Sequence, residues 1–577
     1  MDGSMTTTTA TTDFVPTDLD ATQWKNLEPL YQSLIDRPLK CEDCVEQLIL
    51  DRSELDAAAS EAESNLYIRM TCNTSDEKAK KGFLNFVENV EPQLKKAGFA
   101  LDKKIAECEH TDKLDQHRYS VLIRNIRADV ELFREENIPL QTEDTKLGQQ
   151  YEEICGAMTV EFRGEEKTLP QMAKFFELND RETREEAWRA VAERRAQDTE
   201  KIDEIFDKLI KLRHQMAQNA GFDNYRDYMF KAMHRFDYTP EDCEAFHRGA
   251  EEVCVPVYRK LNEQRAETLG LTKTGESLRP WDLAVDPKGR DPLTPFDDAD
   301  ELIERTSKLF HRMSPDLGEM FDTLREGDCL DLESRKGKAP GGYQSMRDRI
   351  RKPFIFMNAA GLQRDLETMV HEAGHAFHSL LCKDDPLVYY RHAPIEFAEV
   401  ASMSMELFAH PYMTEFYDED GANRARRQHL EDLSKMLPWI ATIDAFQHWI
   451  YTNPDHTRDQ RTAKWLELDD RFGAKVDWSG MEPYRASAWH RQLHLFRVPF
   501  YYIEYGIAQL GSLQLWRQSR ENGEDLALKN YRNAMALGGS KPLPDLFAAA
   551  ELKFDFGPET MRTLMSEVEK ELGQLPR

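Results

Sequence analysis

The chain lacks a long uninterrupted apolar segment and lacks any excess of positive charge. Of its 577 residues, 76 are Lys or Arg and 105 are Asp or Glu, which gives a net charge of −29. The mean hydropathy is −0.67. A membrane-spanning helix needs about 20 consecutive apolar residues, and an acidic surface repels nucleic acid phosphates and anionic lipids. We therefore expect no membrane partner and no nucleic-acid partner.

The sequence also lacks a paired cysteine framework and a recognisable secretion signal. Its nine cysteines are odd in number and scattered, which favours a reducing compartment and predicts a cytoplasmic location. Cys41 and Cys44 are expected to be two thiols rather than a zinc or redox site. The segment Met1–Thr9 has neither a basic nor an apolar part, which argues against a secretory signal, and residues 1–12 are predicted to be a disordered tail.

The segment 366–380 contains the pattern His-Glu-x-x-His. At about 100° per residue, His371 and His375 fall on one narrow arc of a helix. The opposite face is apolar and consists of Leu366, Met369, Val370, Ala373, Phe377 and Leu380. Two imidazoles one turn apart can bind one zinc ion, and Glu372 between them can reach a metal-bound water. The alternative is an ordinary helix with surface His and Glu, but a buried polar stripe needs partners or a metal.

The pattern does not by itself supply the third ligand of a catalytic zinc site. A third His in the same segment would require Gly at 378 and His at 381, where the chain has His378 and Leu381. A second known spacing would place Glu at 394 or 395, where the chain has Pro394 and Ile395. Both arrangements are excluded.

The following predicted helix offers candidates instead. Glu396, Glu399 and Glu406 fall on one stripe of an otherwise apolar helix that opens near Pro394. Buried carboxylates are costly without a cation, and Arg391 could supply that cation. Beside the His-Glu-x-x-His helix the metal interpretation is favoured, but spacing alone does not separate Glu396 from Glu399.

Two blocks, His371–His378 and Phe397–Ser402, resemble the zinc oligopeptidases related to thimet oligopeptidase and oligoendopeptidase F, with the oligoendopeptidase F branch the closer match. The resemblance implies one Zn²⁺ per chain, held by the two histidines and Glu399. It also implies that Glu406 and His378 contact the metal ligands without binding the ion themselves.

Two further blocks carry the resemblance. Gly341, Gly342 and Tyr343, with the strand-like segment Pro353–Asn358, resemble the family's substrate-binding loop and edge strand. The small residues and the strand favour an extended peptide paired along a sheet edge.

The segment 494–510 is the second of these blocks and is rich in tyrosine. Phenol hydroxyls are suitable donors to an oxyanion, although an aromatic stripe at helical spacing more often belongs to a core. We predict one helix that starts near Pro499 and carries all three tyrosines. The resemblance implies catalytic roles for Tyr502, Tyr505 and His494, and it leaves open which tyrosine is the oxyanion donor. It does not assign Tyr501, which we expect to contact the substrate.

The predicted fold is mainly α. The resemblance implies two helical lobes flanking a deep substrate channel, with a small β-sheet beside the zinc-binding helix. We predict a hairpin within 158–166 and short strands within 341–358. In chain order we expect the tail, an N-terminal helical arm (13–110), an oligoendopeptidase F-like N-terminal domain (111–200) and a zinc metallopeptidase catalytic domain (201–577).

These features predict a zinc-dependent endopeptidase that cleaves short unstructured oligopeptides, with Glu372 as general base. Two alternatives stay open: a metallohydrolase acting on a non-peptide amide, and a peptide-binding protein of the same fold. The intact Glu372 argues against the second. A purely structural zinc would prefer four closed ligands, often Cys, and Cys382 alone accompanies this helix. The sequence does not indicate the oligomeric state.

Overall fold

The computed structural model describes residues 14–576 except Ser75, Lys336, Gly337 and Pro340. The predicted tail, residues 1–12, lies outside the described residues. Within them the helices are α1 (Trp24–Asp36), α2 (Glu42–Cys72), α3 (Glu77–Asn85), α4 (Glu91–Ala106), α5 (Gln116–Leu132), α6 (Asn137–Gly156), α7 (Leu169–Met172), α8 (Arg181–Ala196), α9 (Thr199–Asn219), α10 (Tyr225–Ala232), α11 (Pro240–Gly249), α12 (Val255–Thr268), α13 (Leu271–Thr274), α14 (Ala299–Met313), α15 (Pro315–Glu326), α16 (Gln363–Cys382), α17 (Ile395–Phe408), α18 (Glu419–Thr452), α19 (Arg458–Phe472), α20 (Glu482–Ala486), α21 (Leu493–Arg497), α22 (Tyr502–Asn522), α23 (Glu524–Met535), α24 (Leu543–Ala549) and α25 (Pro558–Gln574). The strands are β1 (Thr159–Phe162), β2 (Glu165–Thr168), β3 (Leu330–Glu333), β4 (Tyr343–Arg347) and β5 (Lys352–Ala359). The prediction of a mainly α fold is confirmed.

The chain forms two compact units, each built from separate stretches of sequence. The first unit contains residues up to 131, 294–422 and 511–554. The second contains 132–293, 423–510 and the residues from 555 onward. The division by chain order at 110 and 200, and the channel between lobes, stay predictions.

The first unit contains a three-stranded sheet in the order β3-β5-β4. β5 pairs in parallel with β3 and antiparallel with β4. Its central residues Phe354–Met357 are buried, as expected for an apolar strand between two neighbours. Helix α16 packs against β5 and β4, so the predicted small sheet beside the zinc-binding helix is confirmed. The four residues of β3 alternate Leu with acidic residues over too short a stretch to have been predicted.

Helix α16 has a defined start and a buried apolar face. The Asp365 carboxylate accepts hydrogen bonds from the backbone N–H groups of Ala360 (2.8 Å) and Leu362 (3.0 Å), which satisfies donors at the helix start. The predicted apolar face is buried at Leu366, Met369, Val370, Ala373 and Phe377, whereas Leu380 is half-buried. The apolar face predicted from the sequence is therefore the face of α16 that packs into the core.

The contact between α16 and α17 depends on Gly374. A Cβ atom at this position would lie 2.6 Å from Ser402 Cα and 2.7 Å from the carbonyl oxygen of Ala401. The Tyr531 hydroxyl from α23 donates to the carbonyl oxygens of Ala401 (3.3 Å) and Gly374 (3.5 Å). Glycine is the residue that lets the two helix backbones approach this closely.

Among the described residues of the second unit, the regular elements are helices and the predicted hairpin. β1 and β2 pair antiparallel from Thr159 opposite Thr168 to Phe162 opposite Glu165. The two turn residues, Arg163 and Gly164, have φ values of 54° and 84°. Positive φ at both positions is typical of a type I′ turn, whose twist suits a two-residue hairpin, so the hairpin prediction is confirmed.

One prediction about cysteine is wrong. Cys41 and Cys44 are joined as a disulfide, with Cα atoms 5.2 Å apart, rather than being two thiols. The physical reason is their spacing, because residues three apart at the start of a helix lie on the same side. Within the described part of the chain, no helix combines the length and apolar character that crossing a membrane requires.

Candidate metal centre

His371, His375 and Glu399 converge on one point in the first unit. The Oε2 atom of Glu399 lies 3.4 Å from Nε2 of His371 and 3.6 Å from Nε2 of His375. The three residues each offer a ligand atom within 4.8 Å of the others. Ligands about 2 Å from a tetrahedral ion lie roughly 3.3 Å from one another, so the donor set fits a single zinc ion.

The structure separates the two candidate carboxylates. Glu399 lies in the convergent group, whereas Glu396, one turn earlier on α17, is buried but does not belong to it. The Ser402 hydroxyl donates to Oε2 of Glu399 over 2.9 Å. Burial would raise the pKa of Glu399, but His371, His375 and Ser402 together hold it below its usual value. Glu399 is therefore ionised and can serve as an anionic ligand.

Glu406 orients the first histidine. Its Oε1 atom lies 2.6 Å from Nδ1 of His371, so the other ring nitrogen faces Glu399. Burial would lower the pKa of His371, but Glu399 and Glu406 raise it well above its usual value. A carboxylate on the outer nitrogen is the usual way in which proteins fix the orientation of a ligating imidazole.

His378 lies one turn beyond His375 and is buried. Its ring meets that of Phe397 edge to face with centroids 6.2 Å apart, and its Nε2 atom has no hydrogen-bond partner among the described residues. Burial lowers the pKa of His378 to about 3, so the ring is neutral. The predicted role of His378 in supporting the ligands stays a prediction.

Glu372 is placed as a candidate base. It is 7% exposed, and this burial raises its pKa to about 7. The backbone of Gln344, on strand β4, faces the carboxylate and partly offsets this rise in pKa. A carboxyl group whose pKa lies near neutrality can both accept and return a proton at physiological pH.

The predicted substrate-binding loop leads into the edge strand β4. Gly341 has φ +97°, a backbone conformation that favours glycine. A Cβ atom on Gly342 would lie 3.4 Å from the carbonyl oxygen of Phe356. The ring of Tyr343 stacks on that of Phe356 with centroids 4.8 Å apart, and its hydroxyl lies 2.6 Å from Thr71 Oγ1. The Tyr343 side chain therefore holds the strand in place through these contacts, and substrate binding by Gly341, Gly342 and Tyr343 stays a prediction.

The other predicted residues form a cluster in the second unit. The His494 ring lies 4.9 Å from that of Tyr502 and 6.0 Å from that of Tyr505, measured between centroids. The Tyr501 and Tyr505 rings are 5.4 Å apart. Burial lowers the pKa of His494 and raises that of Tyr502. The sequence blocks thus bring these four side chains together within their own unit.

Tyr501 differs from its prediction in one respect. It precedes α22, which begins at Tyr502, so the expected single helix starting near Pro499 is wrong. The reason lies in the preceding residue: Phe500 has φ +68°, and its backbone N–H donates to Oε1 of Gln447 over 2.6 Å. The chain therefore turns before the helix starts.

Sequence reasoning missed two residues that position the site. The backbone of Gln344 contacts Glu372, and the Tyr531 hydroxyl joins α16 to α17. Neither carries a local signal, because each is an ordinary residue in its own element and becomes relevant through a contact distant in sequence.

Comparison with known proteins agrees with this geometry. The profile of Peptidase family M3 matches residues 175–565, more than half of the chain. The chain belongs to peptidase family M3. In this family member, residues 14–133 also match the Peptidase M3 N-terminal domain.

Curated relatives match over part of their length. The oligoendopeptidase F homolog of Borreliella burgdorferi is 26% identical over 266 residues, which cover 44% of this chain and 42% of that protein. The oligopeptidase PepF of Bacillus subtilis is 25% identical over 272 residues, covering 45% of this chain and 39% of that protein. The aligned segment thus spans less than half of either relative.

Solved structures match over nearly the whole chain. PZ peptidase A with inhibitor 2 is 30% identical with a TM-score of 0.89, covering 96% of this M3 chain and 97% of that chain. A Bacillus anthracis protein assigned to oligoendopeptidase F is 26% identical with a TM-score of 0.84, covering 96% of both chains. The fold is therefore that of the oligoendopeptidase F branch.

Proposed function

We propose that this protein is a zinc-dependent endopeptidase that hydrolyses internal peptide bonds of short unstructured oligopeptides. The observation that carries the proposal is the convergence of His371, His375 and Glu399 on one point, with the carboxylate of Glu372 on the same helix. One Zn²⁺ per chain at this site is part of the proposal. Family membership and the oligoendopeptidase F relatives support it.

The chemistry divides between the ion and the protein. Zinc held by His371, His375 and Glu399 would polarise the scissile carbonyl and lower the pKa of water at the site. Glu372 takes a proton from the attacking water as the new C–O bond forms. It then delivers that proton to the leaving amine as the C–N bond breaks, and its raised pKa suits both transfers.

The substrate is proposed to be an extended peptide. β4 is paired with β5 on one side and has no strand neighbour on the other among the described residues. A peptide in extended form can add to such an edge through backbone hydrogen bonds. Gly341 leaves room for it, since a Cβ atom there would meet nothing within 4 Å, and Gly342 lets the loop pack closely on β5. A folded protein cannot pair in this way because its backbone groups are already bonded.

The remaining assignments rest on the family resemblance. The hydroxyl of Tyr505 or Tyr502 donates to the oxyanion, with His494 as a further donor, and Tyr501 contacts the substrate. A phenol donor of this kind stabilises the tetrahedral intermediate beyond what a metal supplies. The cytoplasmic location and the absence of nucleic-acid and membrane partners belong to the same proposal.

The test is Glu372→Gln. It should retain zinc, because Glu372 is not a ligand, and should lower hydrolysis of a quenched short peptide by at least about 10²-fold, since general-base catalysis contributes roughly that much or more. Glu367→Gln, on the same helix, is the matched control and should keep full turnover. Unchanged turnover in Glu372→Gln would refute the assignment of the base.

A further inference from the structure

A second cluster of metal-ligating side chains lies in the second unit, away from the His-Glu-x-x-His motif in sequence. Cys243 and His247 stand one turn apart on α11, and Asp444 and His448 stand one turn apart on α18. Residues four apart project from the same helix face. Each helix therefore presents a pair of potential ligands, at the spacing that His371 and His375 have on α16.

The two pairs meet. One ligand atom from each of Cys243, Asp444 and His448 lies within 4.8 Å of the others. Oδ2 of Asp444 is 2.7 Å from Nε2 of His247 and 3.3 Å from Nε2 of His448. The His247 contact is a hydrogen bond, whereas the His448 contact does not have hydrogen-bond geometry. The arrangement is thus more than a hydrogen-bonded chain of side chains.

The cluster is buried and incompletely bonded. Cys243 and Asp444 are 0% exposed, and His448 is 7% exposed. Among the described residues, Oδ1 of Asp444 and both ring nitrogens of His448 have no hydrogen-bond partner. An unbonded buried polar atom costs about 1–3 kcal/mol. A single ion reaches one carboxylate oxygen of Asp444 and one ring nitrogen of His448, so a cation held by these two atoms and the Cys243 thiol would give each side chain a partner.

We propose that Cys243, Asp444 and His448 bind a second divalent transition-metal ion, with His247 bonded to the Asp444 carboxylate from outside. Thiolate and imidazole donors select zinc and related cations rather than calcium or magnesium, and a carboxylate–histidine contact is a common support for such ligands. An ion there would tie α11 to α18, and the burial of its ligands would keep substrates away from it.

The site bears on the tyrosine cluster of the same unit. Gln447 lies between Asp444 and His448 on α18, and its Oε1 accepts the backbone N–H of Phe500 over 2.6 Å. Phe500 has φ +68° and directly precedes Tyr501. An ion that holds this turn of α18 in place would therefore also hold the backbone at Phe500, directly before Tyr501 of the tyrosine cluster.

Cobalt substitution of the full-length protein tests the proposal, because thiolate ligation produces a charge-transfer absorption that His and Glu ligands do not. The double variant His371→Ala/His375→Ala removes the first centre. After loading with Co²⁺ it should retain one metal equivalent per chain and the thiolate-to-cobalt band. Adding Cys243→Ala to this variant should abolish both, whereas Cys254→Ala, a buried thiol in the same unit, should abolish neither.

A second measurement covers the case in which Cys243→Ala fails to fold. Asp444→Asn preserves volume and should also remove the band, and Zn²⁺ added to the metal-free double variant should raise its melting temperature but not that of the variant carrying Asp444→Asn. If the double variant binds no metal, or if its metal shows no thiolate band, the cluster is a hydrogen-bonded network and the proposal is wrong.

Discussion

Two buried carboxylates one turn apart on α17 illustrate what a single residue decides. Glu399 contacts both histidines through one oxygen and is held by Ser402, whereas Glu396 lies outside the convergent group. Both glutamates share the same helix and nearly the same burial, at 6% and 4% exposed. The two glutamates therefore differ in where their side chains point and not in how deeply they are buried. This difference can be measured as a difference in metal binding.

We expect Glu399→Ala to lose the metal of this centre and Glu396→Ala to retain it. Loss of an outer contact to a ligand weakens metal binding by about 10–100-fold, so loss of a ligand should cost more than that. Metal content after dialysis against a weak chelator, with circular dichroism as a check on folding, measures both variants. Retention of metal in Glu399→Ala with loss in Glu396→Ala would show that Glu396 is the ligand.

The hydroxyl of Tyr505 supports a second prediction at this scale. Tyr505→Phe should lower kcat by roughly 10²-fold, the usual cost of removing one oxyanion donor, with unchanged metal content. Tyr501→Phe is the matched variant in the same ring cluster, and we expect it to act mainly on KM because its proposed role is substrate contact. Peptide hydrolysis kinetics separate the two. An unchanged kcat in Tyr505→Phe would show that Tyr505 has a packing role and not a catalytic one.

At the scale of elements, the pair α16–α17 is what makes the metal centre. Two histidines on one helix and one carboxylate on the next share a metal when the helix backbones approach closely, and Gly374 permits that approach. The Tyr531 hydroxyl, bonded to carbonyl oxygens of both helices, holds them from the other side. The geometry of the centre is therefore a property of helix packing.

Gly374→Ala should destabilise the protein and weaken its metal binding. The new Cβ would lie 2.6 Å from Ser402 Cα, and because the obstacle is backbone, relief requires the helices to separate. Overpacking of this kind costs about 1–3 kcal/mol. Chemical denaturation and zinc titration measure the two effects.

Gly573→Ala is the control for this change. Gly573 is also helical, but its Cβ would meet nothing within 4 Å, so the substitution should be neutral or stabilising by at most about 1 kcal/mol. Equal stability of the two variants would contradict the proposed packing role of Gly374.

At the scale of the whole molecule, the proposed activity joins the metal centre of the first unit with the edge strand β4 of the same unit. The link between them is the backbone of Gln344, which faces the carboxylate of Glu372. An extended peptide aligned along β4 would thus run beside the proposed base. The proposed arrangement would favour substrates whose backbone is free to pair.

Digestion of a mixed peptide library should show internal cleavage of short peptides and no cleavage of a folded protein of similar sequence composition. A chelator should abolish the cleavage, and added Zn²⁺ should restore it, because the donor set binds the ion reversibly. Mass spectrometry of the products reads out position, length and metal dependence. Removal of single terminal residues, or cleavage that persists in chelator, would contradict the proposal.

The sequence alone determined the local chemistry and the classes of structure. Helical spacing placed His371, Glu372 and His375 around one face, the apolar residues of α16 defined the opposite face, and the hairpin followed from its local pattern. These predictions are correct because each depends only on residues that lie close together along the chain.

Tertiary structure alone decided which distant groups meet. The sequence left Glu396 and Glu399 as alternatives and missed Tyr531 and Gln344. The meeting of Cys243 with Asp444 and His448 was likewise not predicted. Each depends on the direction in which one element packs on another, and that direction is set by close contacts such as the one at Gly374, which no local pattern encodes.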